Sequence, residues 1–116
     1  MTVEYIRNKE VRRVLLGVPR GHRHLRLALE LEDGRVIILS EATVASIVRA
    51  FVTLYTHPSL RALELVGSLV ADRKPGYAEY QLLESGKSPD SIEKELSELL
   101  SSSSPQDSGS TSTAVP

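Results

Sequence analysis

The segment Arg20-Gly21-His22-Arg23-His24-Leu25-Arg26 puts three guanidiniums and two imidazoles within seven residues. A phosphate backbone is met by cationic donors repeated along a track, and arginine offers a planar, bidentate fork for it. Arg12 and Arg13 precede this stretch, and Arg73 and Lys74 form a second basic point flanked by Tyr77 and Tyr80. Aromatic rings beside such a track let unstacked bases lie on them. The other aromatics are Tyr5, Phe51 and Tyr55. The candidate nucleic-acid-binding set is therefore Arg12, Arg13, Arg20, His22, Arg23, His24, Arg26, Arg73, Lys74, Tyr77 and Tyr80. The alternative is a solvated basic face paired with acidic protein surface. Phe51 and Tyr55 also fit the core side of a helix.

Charge is divided along the chain. Residues 1–26 carry seven Lys/Arg against two Asp/Glu, a net +5, and residues 27–116 carry seven against thirteen, a net −6. The formal charge of −1 hides this dipole. Local basic surface is an argument for polyanionic partners. Arginine outnumbers lysine ten to four, which fits phosphate or carboxylate recognition and equally a GC-rich genome or a hot habitat.

Other chemistries find less support. His22 and His24 alternate, so on a strand both imidazoles would converge. A third metal ligand would have to come from His57 or a carboxylate, and no motif fixes one, so no metal or other cofactor is expected. The chain has no cysteine, no nucleophile elbow, no phosphate-cradling glycine loop and no HExxH pattern. Glu30 and Glu32 share a strand face and read as solvated. The expectation is a protein that is not an enzyme. The lack of cysteine fits a reducing, cytoplasmic setting. No long apolar run precedes Arg7 and none nears the ~18 residues of a membrane span, so neither a signal peptide nor a membrane partner is expected.

The elements that must position these residues follow from hydrophobic spacing. Residues 2–7 form a short lead-in strand or stay irregular. Residues 11–18 read as a strand, with Val14, Leu16 and Val18 on one face and Arg13, Leu15 and Gly17 on the other. Pro19-Arg20-Gly21 breaks it. Residues 24–32 form the clearest strand, with Leu25, Leu27, Leu29 and Leu31 alternating toward a core. Asp33-Gly34 signals a hairpin, and residues 35–39 return as a third strand. That strand is apolar on both faces, so its second face, with Leu15 and Ala28, calls for cover by the rest of the chain or by another subunit.

Ser40 and Glu41 suit the start of a helix. Val44, Ile47, Val48, Phe51, Val52 and Tyr55 keep helical spacing, and Pro58 stops the helix near His57. A second helix fits Leu60, Leu63, Val66 and Val70, with a strand over residues 63–70 as the alternative. Residues 77–85 read as a short helix ended by Gly86, or as a strand. Ser88-Pro89-Asp90 opens a last helix whose narrow stripe is Ile92, Leu96 and Leu99. It needs the domain or a twin to dock on. Residues 82–96 have the look of a helix-turn-helix, but Glu93, Glu95 and Glu98 against Lys94 suit a structural hairpin or an oligomerisation element better than DNA reading. Residues 1–100 thus form a single domain, and the Ser/Thr-rich residues 101–116 are expected to be disordered.

A small sheet carrying Leu-Glu-Leu-Glu-Asp-Gly-Arg-Val-Ile at residues 29–37, short helices after it and a C-terminal apolar helix together resemble the archaeal ThermoDBP-type single-stranded DNA-binding proteins and their relatives. The resemblance spans residues 10–100 and is one of architecture, with no motif aligned residue by residue. It implies an α+β domain that oligomerises and holds single strands against basic and aromatic side chains, from an archaeal, thermophilic source. The expected fold is α+β, a three- or four-stranded antiparallel sheet followed by three or four short helices. The expected function is sequence-tolerant binding of single-stranded nucleic acid, DNA over RNA, by a homodimer or homotetramer. The alternative is a protein–protein interaction module.

Overall fold

The computed structural model describes residues 2–72, 74–76 and 79–102. The expected disordered tail therefore lies almost wholly outside the described residues, as do Arg73 and Tyr77. Residues 2–7 stay irregular, the second of the two expectations, and a short 3-10 turn, Asn8–Glu10, follows them. The elements that follow are β1 (Val11–Gly17), β2 (Arg26–Leu31), β3 (Val36–Ser40), α1 (Glu41–Thr56), β4 (Leu65–Leu69), β5 (Tyr80–Glu84) and α2 (Pro89–Ser101).

β1, β2 and β3 form an antiparallel sheet in that order. Its register lines up Val14, Leu29 and Ile37 across the strands, and likewise Leu16, Leu27 and Leu39. Pleating sends these to one face. The intervening row, Leu15, Ala28 and Ile38, belongs to the other. The β2–β3 turn places Gly34 at φ +94°, with Gly34 N–H bonded to Leu31 O at 3.0 Å and Leu31 N–H to Arg35 O at 2.9 Å. Asp33 accepts from the Arg35 backbone and guanidinium at 3.0 and 2.8 Å. Arg35 also reaches Glu4 at 3.2 Å, so the turn pins the N-terminal segment.

The chain then departs from the sequence expectation. Instead of two helices, residues 60–85 supply β4 and β5, a separate antiparallel ribbon pairing Val66 with Leu83 and Gly67 with Leu82. The described residues thus hold two α-helices, fewer than the three or four expected, and the strand alternatives for both segments hold. The helical spacing of residues 60–70 leaned on Leu60 and Leu63, which precede β4. Gly67 weakens a helix by about 1 kcal/mol, and the period-two Tyr80 and Leu82 needed a pairing partner that local spacing does not reveal. The helix-turn-helix look of residues 82–96 is corrected with them: β5, not a helix, precedes α2.

α1 runs as its spacing predicts, from Ser40 to the residue before His57. Which side it buries is the surprise. It lies against β5, β3 and β2 with Ser46 buried and Ala42, Thr43, Val44, Ala45, Ala50, Thr53 and Leu54 half-buried. The apolar stripe faces outward instead, and Phe51 and Tyr55, open to a core reading, are 64% and 80% exposed. The inner side is mostly small, with Val44 and Leu54 its large members, and Ile47, Val48, Phe51, Val52 and Tyr55 are turned away. Leu31 and Ala62 are the buried apolar residues among those described. α2 starts as expected, with Ser88 Oγ accepting from Ser91 N–H at 3.2 Å and Pro89 in the first turn. Lys87 ties its base to Glu64 and Glu95 at 3.5 and 3.2 Å, exposed pairs that contribute little. Leu96 and Leu100 remain exposed. Among the described residues no helix is long and apolar enough to cross a membrane.

Gly34→Ala should destabilise the fold by about 1 kcal/mol in urea denaturation, because a side chain disfavours positive φ. A Cβ there meets no atom within 4 Å, so the backbone alone carries the cost. Gly67→Ala, with equal space and no positive φ, should cost nothing.

Candidate nucleic-acid interface

The 18–25 connection is built around a tight turn. His22 N–H bonds Pro19 O at 2.9 Å, and Gly21 sits at φ +88°. A left-handed glycine at the third position is what a type II turn requires. The far end is tied down by Glu41, whose Oε1 accepts from Leu25 N–H at 2.6 Å and lies 3.9 Å from His24 Nδ1. One carboxylate at the start of α1 thereby anchors the loop to the helix. Arg26 turns back to donate to the His24 and Leu25 carbonyls at 3.1 and 3.2 Å. Among the described residues, Arg20, His22 and Arg23 have no side-chain hydrogen bond or ion pair, and all three are exposed.

Arg12 and Arg13 are placed differently. Arg13 faces Glu30 across the sheet and donates from Nε to Oε1 at 2.6 Å. A bulge between Val11 and Arg13 upsets the alternation that would send consecutive side chains to opposite faces. Arg12 therefore reaches the same carboxylate, at 3.1 Å, and also approaches Glu32 at 3.7 Å. The Arg13 hydrogen bond, helped by its charge and by Arg12, holds the Glu30 carboxyl below its ordinary 4.5. These two guanidiniums are largely compensated by carboxylates. Glu30, read from sequence as solvated, is the hub of that compensation. Its position opposite Arg13 depends on register, which spacing within one strand does not give.

The turn borders an apolar surface. Leu15, Leu16, Gly17, Val18, Pro19, His22, Arg26, Ala28 and Ile38 line a shallow groove, most of them from the second face of the three-stranded sheet. Its floor is the Leu15–Ala28–Ile38 row, with Leu15 and Ile38 50% and 66% exposed. Among the described residues this face stays largely open, although the doubly apolar third strand called for cover on it. The remaining candidates sit elsewhere. Lys74 is exposed in the β4–β5 connection and Tyr80 opens β5, exposed and paired with Leu69. Both belong to the ribbon and not to the 18–25 turn. Among the described residues the candidate set is thus divided among β1, the 18–25 connection with the start of β2, and the ribbon. No group of three or more His, Asp or Glu able to hold a metal occurs among the described residues.

No protein-family model, curated protein or solved structure matches this chain.

The Glu30 cluster makes a direct prediction. In an NMR titration of the carboxyl carbons, the Glu30 midpoint should lie below 4.5 and rise toward that value in Arg13→Ala. Because the folded value is lowered, the associated stability is present above the ordinary carboxylate range and is lost as pH falls through it.

Proposed function

We propose that this chain binds single-stranded nucleic acid with little regard to sequence, DNA over RNA, as a non-enzymatic homo-oligomer. The observation that carries the reading is the contrast among its arginines. Arg12, Arg13 and Arg35 meet carboxylates, while Arg20 and Arg23 stand exposed on an anchored turn without a compensating charge among the described residues. Arg26 and His22 join them at the rim of the groove. The apolar floor beside that rim favours single strands. Unpaired bases present flat, weakly hydrated faces to apolar surface, whereas a duplex hides those faces and offers mainly sugar and phosphate. The resemblance to archaeal ThermoDBP-type proteins points the same way and would make the source a thermophilic archaeon, while the lack of cysteine fits a cytoplasmic setting.

α2 favours a second reading. It carries Asp90, Glu93, Glu95 and Glu98 against Lys94, so it is a short acidic helix with exposed leucines. An interaction module would set the basic turn against such a surface on a partner protein. The two readings part on nucleic-acid affinity.

Fluorescence anisotropy with labelled strands of about 20 nucleotides separates them. Single-stranded DNA should bind saturably at low salt, more tightly than duplex and with lower affinity as salt rises. Arg20→Ala/Arg23→Ala/Arg26→Ala should weaken binding about tenfold or more and flatten the logarithmic salt slope by about two. Arg12→Ala/Arg13→Ala should do less, since Glu30 and Glu32 already offset those charges. Unchanged affinity in the triple variant would place binding elsewhere, and no binding at low salt would leave the interaction module.

A further inference from the structure

α1 is an amphipathic helix mounted backwards. Ile47, Val48, Phe51, Val52 and Tyr55 recur at three- and four-residue steps and so share one side. All five are between about half and four-fifths exposed. A helix that served only a monomer's core would bury this stripe and show its alanines, serines and threonines to water. Here the small side is spent against the sheets. Phe51 and Tyr55 are also preorganised, with ring centroids 5.9 Å apart and planes 15° from parallel. The nearest formal charge on the helix, Arg49, lies off the stripe and donates to Ser46 Oγ at 3.3 Å.

We propose that this stripe is the interface with a second copy of the chain, α1 packing antiparallel on α1 about a two-fold axis close to Phe51. Size, chemistry and symmetry argue for a second copy as the occupant. Five side chains of this size expose roughly 500 Å² per copy, so pairing would bury about 1,000 Å², the lower limit of specific association. The stripe has no charge with which to hold a polyanion, and its side chains match one another. A two-fold axis near Phe51 sets Phe51 against Phe51 and puts Ile47 and Val48 beside the partner's Tyr55. Such closed, isologous contacts are the commonest way for one surface to meet itself. The basic turns lie outside this interface and remain open in both copies. The inference rests on the self-association part of the proposed function and is independent of nucleic-acid binding.

The test uses the full chain and its lack of cysteine. Light scattering behind size exclusion gives the mass of the wild type and of Phe51→Glu, which brings two carboxylates together on the axis. Single-cysteine variants Phe51→Cys and Leu15→Cys are oxidised under mild conditions, the second reporting on the open sheet face. The expected result is a wild type of at least two copies, a dissociation constant raised about 100-fold or more in Phe51→Glu with helical circular dichroism retained, and a covalent dimer from Phe51→Cys but not from Leu15→Cys. An oligomer whose mass ignores Phe51→Glu, or which cross-links through position 15 alone, overturns this interface and leaves self-association standing. A monomeric wild type at every concentration overturns both.

Discussion

Helix α1 turns mostly small side chains, with Val44 and Leu54 among them, toward the sheets, and this choice of face decides what the rest of the chain can do. A helix has one face to give. With Ser46 buried against the sheets, the Phe51–Tyr55 side has nowhere to go but outward. The same economy governs the three-stranded sheet. Leu27, Leu29, Leu31 and Leu39 occupy one face, and the row Leu15, Ala28 and Ile38 is left on the other. The apolar content of a globular chain is present, but little of it is removed from water by the chain's own folding. Since burial supplies about 25 cal/mol per Å² against an ordering cost of similar total size, such a chain gains much by sharing surface. On this account the outward stripe is the missing half of the core.

Electrostatics divides the arginines by their local backbone. A bulge in β1 and the register of β2 bring Arg12 and Arg13 to one carboxylate. The β2–β3 turn gives Arg35 to Asp33 and Glu4. Among the described residues Arg20 and Arg23 of the 18–25 connection meet no carboxylate, and Glu41 at its far end is engaged with the Leu25 backbone. The uncompensated charge of the basic half is therefore concentrated at the turn beside the open sheet face. Cationic rim and apolar floor together suit a strand whose bases are free.

Much of this was legible in the sequence because the signals were local. The Asp33-Gly34 hairpin, the leucine alternation of β2, the Ser40 and Ser88 helix starts and the Pro58 stop depend on neighbours a few residues away. The doubly apolar third strand called for cover on its second face, and among the described residues that face stays largely open. What was not legible depended on pairing at a distance. The β4–β5 ribbon exists because two ambiguous segments match each other, and neither proclaims it alone. The orientation of α1 was hidden for the same reason. Spacing marks out a stripe, but only the neighbouring sheets decide whether the apolar or the small side faces in. At the candidate site, the 18–25 turn was plain, whereas the capture of Arg12 and Arg13 by Glu30 required the register and the bulge.

The claim that most of the account rests on is that one copy does not complete its own core. Thermal unfolding of the full chain, followed by circular dichroism over a hundredfold range of protein concentration, tests it directly. Folding linked to association gives a Tm that rises with concentration. A Tm that stays constant across that range, with reversible two-state unfolding of a monomer, would show that the chain is stable alone and would contradict it.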